Sequence, residues 1–132
     1  MAKPSIPAIS EAESRVMAQL WQQAPQGSED LAAALQDETG WHENTVRTLL
    51  KRLSDKGAVR AERDGRRYLY SPLLTHGQWQ ASESRSLLDR VFGGRVIPLL
   101  AHFSRTEKLS DKDIAELRQL VDTIERKERR HD

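Results

Sequence analysis

A chain of 132 residues has room for one compact domain, or for a small domain and an assembly element. It contains no cysteine, which excludes disulfides and thiolate metal sites, and no apolar run approaches the roughly 18 residues that cross a bilayer, so it reads as a cytoplasmic protein without membrane insertion. Its formal net charge is only +1, yet 31% of its residues are charged, which points to long exposed helix faces.

Residues 1–8 hold two prolines and a lysine but no apolar stretch, and are expected to form a flexible arm rather than a signal peptide. Ser10 and Glu13 have the spacing of a capping box and open a first helix. Its apolar stripe is Val16, Met17, Leu20 and Trp21, and Ala24-Pro25-Gln26-Gly27 stops it. Ser28 is the expected cap of a second helix, with Glu29 and Asp30 complementing the positive end of its dipole. Leu31, Ala32 and Leu35 face inward, and Gly40 ends the segment. A third helix begins at His42 or Glu43 and ends at Gly57, with Val46, Leu49, Leu50 and Leu53 on its buried stripe.

Two strand-like runs, Ala58–Arg63 and Arg66–Tyr70, flank Asp64-Gly65, the signal for a hairpin with a type I′ turn. A two-residue turn at that point pairs Arg63 with Arg66, Glu62 with Arg67, Ala61 with Tyr68 and Val59 with Tyr70. Val59, Ala61, Tyr68 and Tyr70 then share one face, expected to pack on the helices, and the tip carries Arg63, Arg66 and Arg67. Three helices followed by a basic hairpin make a winged helix-turn-helix over residues 9–72.

Residues 73–132 read as a helical dimerisation domain, so the fold class is mainly α with a small β-hairpin wing. A helix from Thr75 to Phe92, broken by Gly93-Gly94, precedes a short apolar helix in which Pro98 fits only the first turn. Ser110 and Asp113 cap a last helix, whose charged end, Glu125–Asp132, is expected to fray. Leu88, Val91, Phe92, Leu99, Leu100, Phe103, Ile114, Leu117, Val121 and Ile124 line these helices. One chain cannot easily cover them, and burial against a second copy is the economical solution.

Divided by region, the charge becomes informative. Residues 1–38 carry two basic and six acidic groups, residues 39–71 eight and four, and residues 72–132 eleven and ten. The positive block coincides with the third helix and the hairpin, which suits a polyanion such as double-stranded DNA. A solvated basic face, or a module that reads acidic protein partners, remains the alternative. On a helical wheel of about 100° per residue, Asn44, Thr48 and Lys51 point away from the apolar stripe. Arg47 and Arg52 flank them, with Thr45 further round. Asn and Arg can each bond a base edge in bidentate fashion, and Lys51 and Arg52 can neutralise phosphates. His42–Lys56 is therefore the expected recognition helix.

Other chemistry finds little support. His42, His76, His102 and His131 lie in separate segments, none with a second ligand at metal spacing. No phosphate-cradling glycine pattern and no base or oxyanion constellation can be assembled, so no cofactor, metal or enzymatic activity is expected. Trp21, Trp41 and Trp79 are expected to anchor the core.

Several runs resemble the penicillinase repressor and methicillin-resistance regulator family of winged-helix transcriptional repressors. They are Thr45-Val46-Arg47-Thr48-Leu49-Leu50-Lys51-Arg52-Leu53 with Lys56-Gly57, Ile9-Ser10-Glu11-Ala12-Glu13 through Leu20-Trp21, Tyr68-Leu69-Tyr70-Ser71, Phe92-Gly93-Gly94, and Leu109 to Leu117. The resemblance spans residues 9 to 125. It implies a homodimeric repressor bound to an inverted-repeat operator, controlling β-lactam resistance or a related stress operon. Thr45 and Arg47 would be the DNA contacts, supported by Thr48, Lys51 and the wing arginines. The resemblance also implies a membrane sensor protease, or a protease downstream of it, as partner. The family's Asn-Phe cleavage point maps to His102-Phe103, where the Asn is replaced.

Overall fold

The computed structural model describes residues 6–131, His131 by its backbone alone, so most of the expected N-terminal arm lies outside the described residues. The elements are α1 (Glu11–Gln22), α2 (Ser28–Thr39), α3 (Glu43–Asp55), β1 (Val59–Asp64), β2 (Arg67–Pro72), α4 (His76–Val91), α5 (Val96–Thr106) and α6 (Asp111–His131). They fall into two compact units that divide between Ser84 and Arg85.

In the first unit the capping box forms as its spacing predicts. The Ser10 N–H donates to Glu13 Oε1 at 2.7 Å, and the Glu13 N–H donates to Ser10 Oγ at 3.1 Å. Val16, Met17 and Leu20 of α1, Leu31 and Leu35 of α2, and Val46, Leu49, Leu50 and Leu53 of α3 form one core with Ala58, Val59 and Leu74. None of these is more than 5% exposed. Burying each leucine contributes about 1.5–3 kcal/mol, which orients all three helices around a common centre. Trp21, Trp41 and Trp79 pack on this core. Leu74 and Trp79 carry it beyond Pro72.

The end of α3 is a Schellman motif. The Ala58 N–H donates to the Leu53 carbonyl at 2.8 Å and the Gly57 N–H to the Ser54 carbonyl at 3.0 Å, with Gly57 at φ 78°. This turn sends the chain directly into β1.

Two local expectations need correction. Ser28 does not cap α2; Gly27 occupies that position without a side-chain hydrogen bond, and Ser28 is the first helical residue. The Ser28 hydroxyl is drawn instead to α3. The hairpin register is also displaced: Asp64 pairs with Arg67, Arg63 with Tyr68, Ala61 with Tyr70 and Val59 with Pro72. Gly65 has φ 65° while no non-glycine residue among the described ones has positive φ, and with Asp64 paired to Arg67 the two central residues are Gly65-Arg66. A type I′ turn would need positive φ at Asp64 as well; glycine at the first central position is the type II′ arrangement.

The displacement preserves side-chain alternation, so Val59, Ala61, Tyr68 and Tyr70 still share a face. Only the base of the hairpin packs as expected, however. Val59 is buried and Tyr70 half-buried against the core, whereas Ala61 and Tyr68 are exposed, because the ribbon extends past the helices. Gln26 pairs with Tyr70 in both directions, at 3.1 and 2.8 Å, and so fastens β2 to the segment before α2.

In the second unit, α4 ends where the Gly94 N–H donates to the Leu88 carbonyl at 2.7 Å. Pro98 sits in the first turn of α5, after the N-cap Arg95. Ser110 and Asp113 form a reciprocal cap at the start of α6, at 3.1 and 3.0 Å. α6 continues helically to His131 where fraying was expected. Leu88 is buried, and Phe92, Leu99 and Leu117 are half-buried. Val91, Leu100, Phe103, Ile114, Val121 and Ile124 stay exposed, and an open apolar groove of about 550 Å³ runs between α5 and α6.

Candidate nucleic-acid interface

The polar face of α3 exists because the apolar stripe consumes the other side. With Val46, Leu49, Leu50 and Leu53 buried, helical geometry leaves Asn44, Thr45, Arg47, Thr48, Lys51 and Arg52 exposed. His42 is the N-cap of this helix but gives it no side-chain bond; its carbonyl accepts from the Thr45 N–H at 3.0 Å. Thr48 Oγ1 donates to the Asn44 carbonyl at 3.0 Å. Lys51 lies 3.6 Å from Asp55 in a solvated pair that constrains it little.

Arg47 differs from its neighbours in being held. Its Nη2 donates to Glu43 Oε1 at 2.6 Å and its Nε to Ser28 Oγ at 3.4 Å, while Ser28 Oγ donates to the same Glu43 oxygen at 3.0 Å. The sequence places Glu43 and Arg47 four apart on one helix, so that pair was readable as an i,i+4 contact. The contribution of Ser28 was not, because it comes from another helix and its position in the sequence is that of a cap.

The wing completes the site. A groove of about 380 Å³ is lined by Ser28, Arg47, Arg66, Arg67, Tyr68 and Tyr70. The structure therefore gathers Arg66 and Arg67 with Arg47. Arg67 lies 3.8 Å from Asp30 and 3.7 Å from Asp64, both exposed partners. Arg63 behaves otherwise: its guanidinium stands over the Tyr68 ring at 5.9 Å and its Nε donates to the Gly65 carbonyl at 3.2 Å. Burial raises the Tyr70 phenol above its ordinary value, against the opposing charge of Arg47 and with a smaller upward push from Tyr68.

The remaining candidates lie elsewhere. His102 and Phe103 are exposed at the middle of α5, their rings 5.6 Å apart. His76 clusters with Trp21 and Trp79, at 4.9 and 5.8 Å. The His131 side chain lies outside the described residues. No described helix is long and apolar enough to cross a membrane.

Residues 9–123 match the family model described as penicillinase repressor. The chain is 30% identical over 117 residues to the penicillinase repressor of Bacillus licheniformis, covering 89% of this chain and 91% of that one. It is 28% identical over 113 residues to the methicillin resistance regulatory protein MecI of Staphylococcus aureus, covering 86% and 92%. Among solved structures, the DNA-binding domain of the repressor BlaI aligns with a TM-score of 0.51 at 30% identity, over 58% of this chain and 93% of that one.

Proposed function

The chain belongs to the penicillinase repressor family, and on that premise we propose that it is a DNA-binding transcriptional repressor acting as a homodimer on an inverted-repeat operator. The observation that carries this reading is the convergence of Arg47, Arg66 and Arg67 at one groove beside the exposed polar face of α3. Three guanidinium groups at one concave site favour a polyanion, and an α-helix of this width fits a major groove.

In this reading residues 9–72 bind DNA and residues 73–132 form the dimer. Asn44, Thr45, Arg47 and Thr48 at the start of α3 read base edges. Lys51, Arg52, Arg63, Arg66 and Arg67 neutralise phosphates and fix the register of the helix in the groove. The exposed apolar residues of α5 and α6 meet their counterparts in a second copy. The two-fold symmetry of that pair is what an inverted repeat mirrors. The protein acts in the cytoplasm, on promoters of β-lactam resistance or a related stress response.

Release from the operator, in the same reading, follows cleavage at or near His102–Phe103 by a membrane sensor protease or one downstream of it. That bond is helical, so cleavage requires α5 to open locally.

The deciding experiment selects bound sequences from random duplexes with the full chain. A recovered inverted repeat supports the reading. Sequences without a shared repeat overturn the dimeric operator, and failure to retain any duplex near physiological salt assigns the basic groove to an acidic protein partner instead.

A further inference from the structure

The carboxylate of Glu43 lies beside Arg47 at the basic groove, where a negative charge weakens attraction to phosphate. It is not idle there. It and Ser28 close a ring of hydrogen bonds on Arg47, using Nη2 at 2.6 Å and Nε at 3.4 Å. The third side of the ring is the Ser28 hydroxyl donating to Glu43 at 3.0 Å. The Glu43 side chain is 32% exposed and that of Arg47 59%, so the ring is partly sheltered while the guanidinium reaches out of it.

A guanidinium has two edges that can make a bidentate contact: the side edge formed by Nε and one terminal nitrogen, and the end edge formed by the two terminal nitrogens. Ser28 and Glu43 together occupy the side edge. Among the described residues no hydrogen bond or ion pair engages Nη1. The end edge is therefore left to an external acceptor pair, and guanine O6 and N7 are such a pair. An untethered arginine would have to lose rotamer freedom on binding and could swing to the nearest phosphate. The tether removes part of that loss beforehand and opposes the swing.

We propose that Glu43, with Ser28, is a specificity-determining positioning element: it aims the end edge of Arg47 at a base and weakens binding to phosphate alone. The proposal rests on the repressor reading above. Glu43 lowers affinity for DNA in general so that discrimination between sequences rises.

The test uses the full chain and two duplexes of equal length and composition, one recovered by selection with the wild type and one scrambled. Each is titrated across a salt series, and thermal unfolding is recorded for every variant. Glu43→Gln is expected to tighten the scrambled duplex about three- to tenfold and to steepen its salt slope by about one ion. The selected duplex is expected to gain little, so the affinity ratio falls by nearly the same factor, about three- to tenfold. Ser28→Ala leaves the charge unchanged; the ratio is expected to fall a few fold at an unaltered salt slope. This second variant carries the test should the first fold poorly.

A ratio that stays within about twofold of the wild type in both variants overturns the proposal. Equal weakening of both duplexes together with lowered thermal stability also overturns it, since that is the signature of a merely structural role. If the wild type itself prefers no duplex, the repressor reading fails first, before any substitution is made.

Discussion

Lys56 Nζ donates to Glu13 Oε1 at 2.6 Å and to the Ala8 carbonyl at 3.0 Å, which ties the start of α1 and the chain before it to the end of α3. Glu13 is 1% exposed, and its other carboxylate oxygen has no hydrogen-bond partner among the described residues. The Lys56 ammonium is thus the one countercharge bonded to this carboxylate among those residues. The pair bridges two of the three helices that enclose the core, so it bears directly on how α3 is presented.

Lys56→Met is expected to destabilise the first unit by about 2–3 kcal/mol, because it leaves a buried carboxylate without its charged donor. Urea unfolding at neutral pH checks this. Burial pushes the Glu13 carboxyl upward, but the hydrogen bonds from Lys56 and Ser10 and the charge of Lys56 outweigh it and hold the group below its ordinary value. A lowered folded pKa means that the stability gained is present above the unfolded value and lost as pH falls through the folded one. The wild type should therefore lose stability below about pH 5, and Glu13→Gln should lose less over the same window.

Arg47→Ala is expected to weaken binding of the selected duplex by about 1–3 kcal/mol and to relax preference at one base pair of each half-site. Arg66→Ala and Arg67→Ala should instead weaken all duplexes alike, each reducing the salt slope by about one. Titrations at several salt concentrations separate the two behaviours. Normal sequence preference in Arg47→Ala would show that the base-reading role is misassigned.

Val121→Asp with Ile124→Asp is expected to convert the protein to a monomer at micromolar concentration, as read by sedimentation. Both side chains are about half exposed in the single chain, so their replacement disturbs assembly rather than the fold of one copy. Loss of the dimer should reduce operator affinity much more than affinity for an isolated half-site.

Gly57→Ala tests the exit from α3. Nothing lies within 4 Å of the added Cβ, so sterics with neighbours contribute nothing and the cost is that of the left-handed backbone alone, about 1–2 kcal/mol. Gly57→Asn should cost less, because asparagine tolerates that region better. Thermal unfolding of the two variants gives the comparison.

The helices were legible because their signals are local. The capping box at Ser10, the stripe from Val46 to Leu53 and the glycine at position 57 each act within one or two turns. The wing was legible as a hairpin but not in register, since Asp64-Gly65 and Gly65-Arg66 are both sound two-residue turns by composition. Only the backbone at Asp64, which does not adopt positive φ, decides between them. Side-chain alternation could not reveal the error, because a displacement of this size leaves every side chain on its original face. At the interface, the exposed residues of α3 followed from its stripe. What escaped was contact between distant segments: Ser28 with Arg47, and Lys56 with Glu13. Ser28 was masked by its own cap-like position, where the chain uses the Gly27 backbone and frees the hydroxyl.

The tryptophans have a practical consequence. The chain has three, and Trp21, Trp41 and Trp79 all pack on the core of the first unit; Trp21 further donates its indole N–H to the Leu74 carbonyl at 2.9 Å and lies 5.3 Å from Trp79. The second unit contains none. Indole emission is therefore an intrinsic optical label confined to one half of the molecule, whereas far-ultraviolet dichroism sums helices from both. If the halves melt independently, the two signals will change at different temperatures, and the gap between them will report how strongly the halves are coupled.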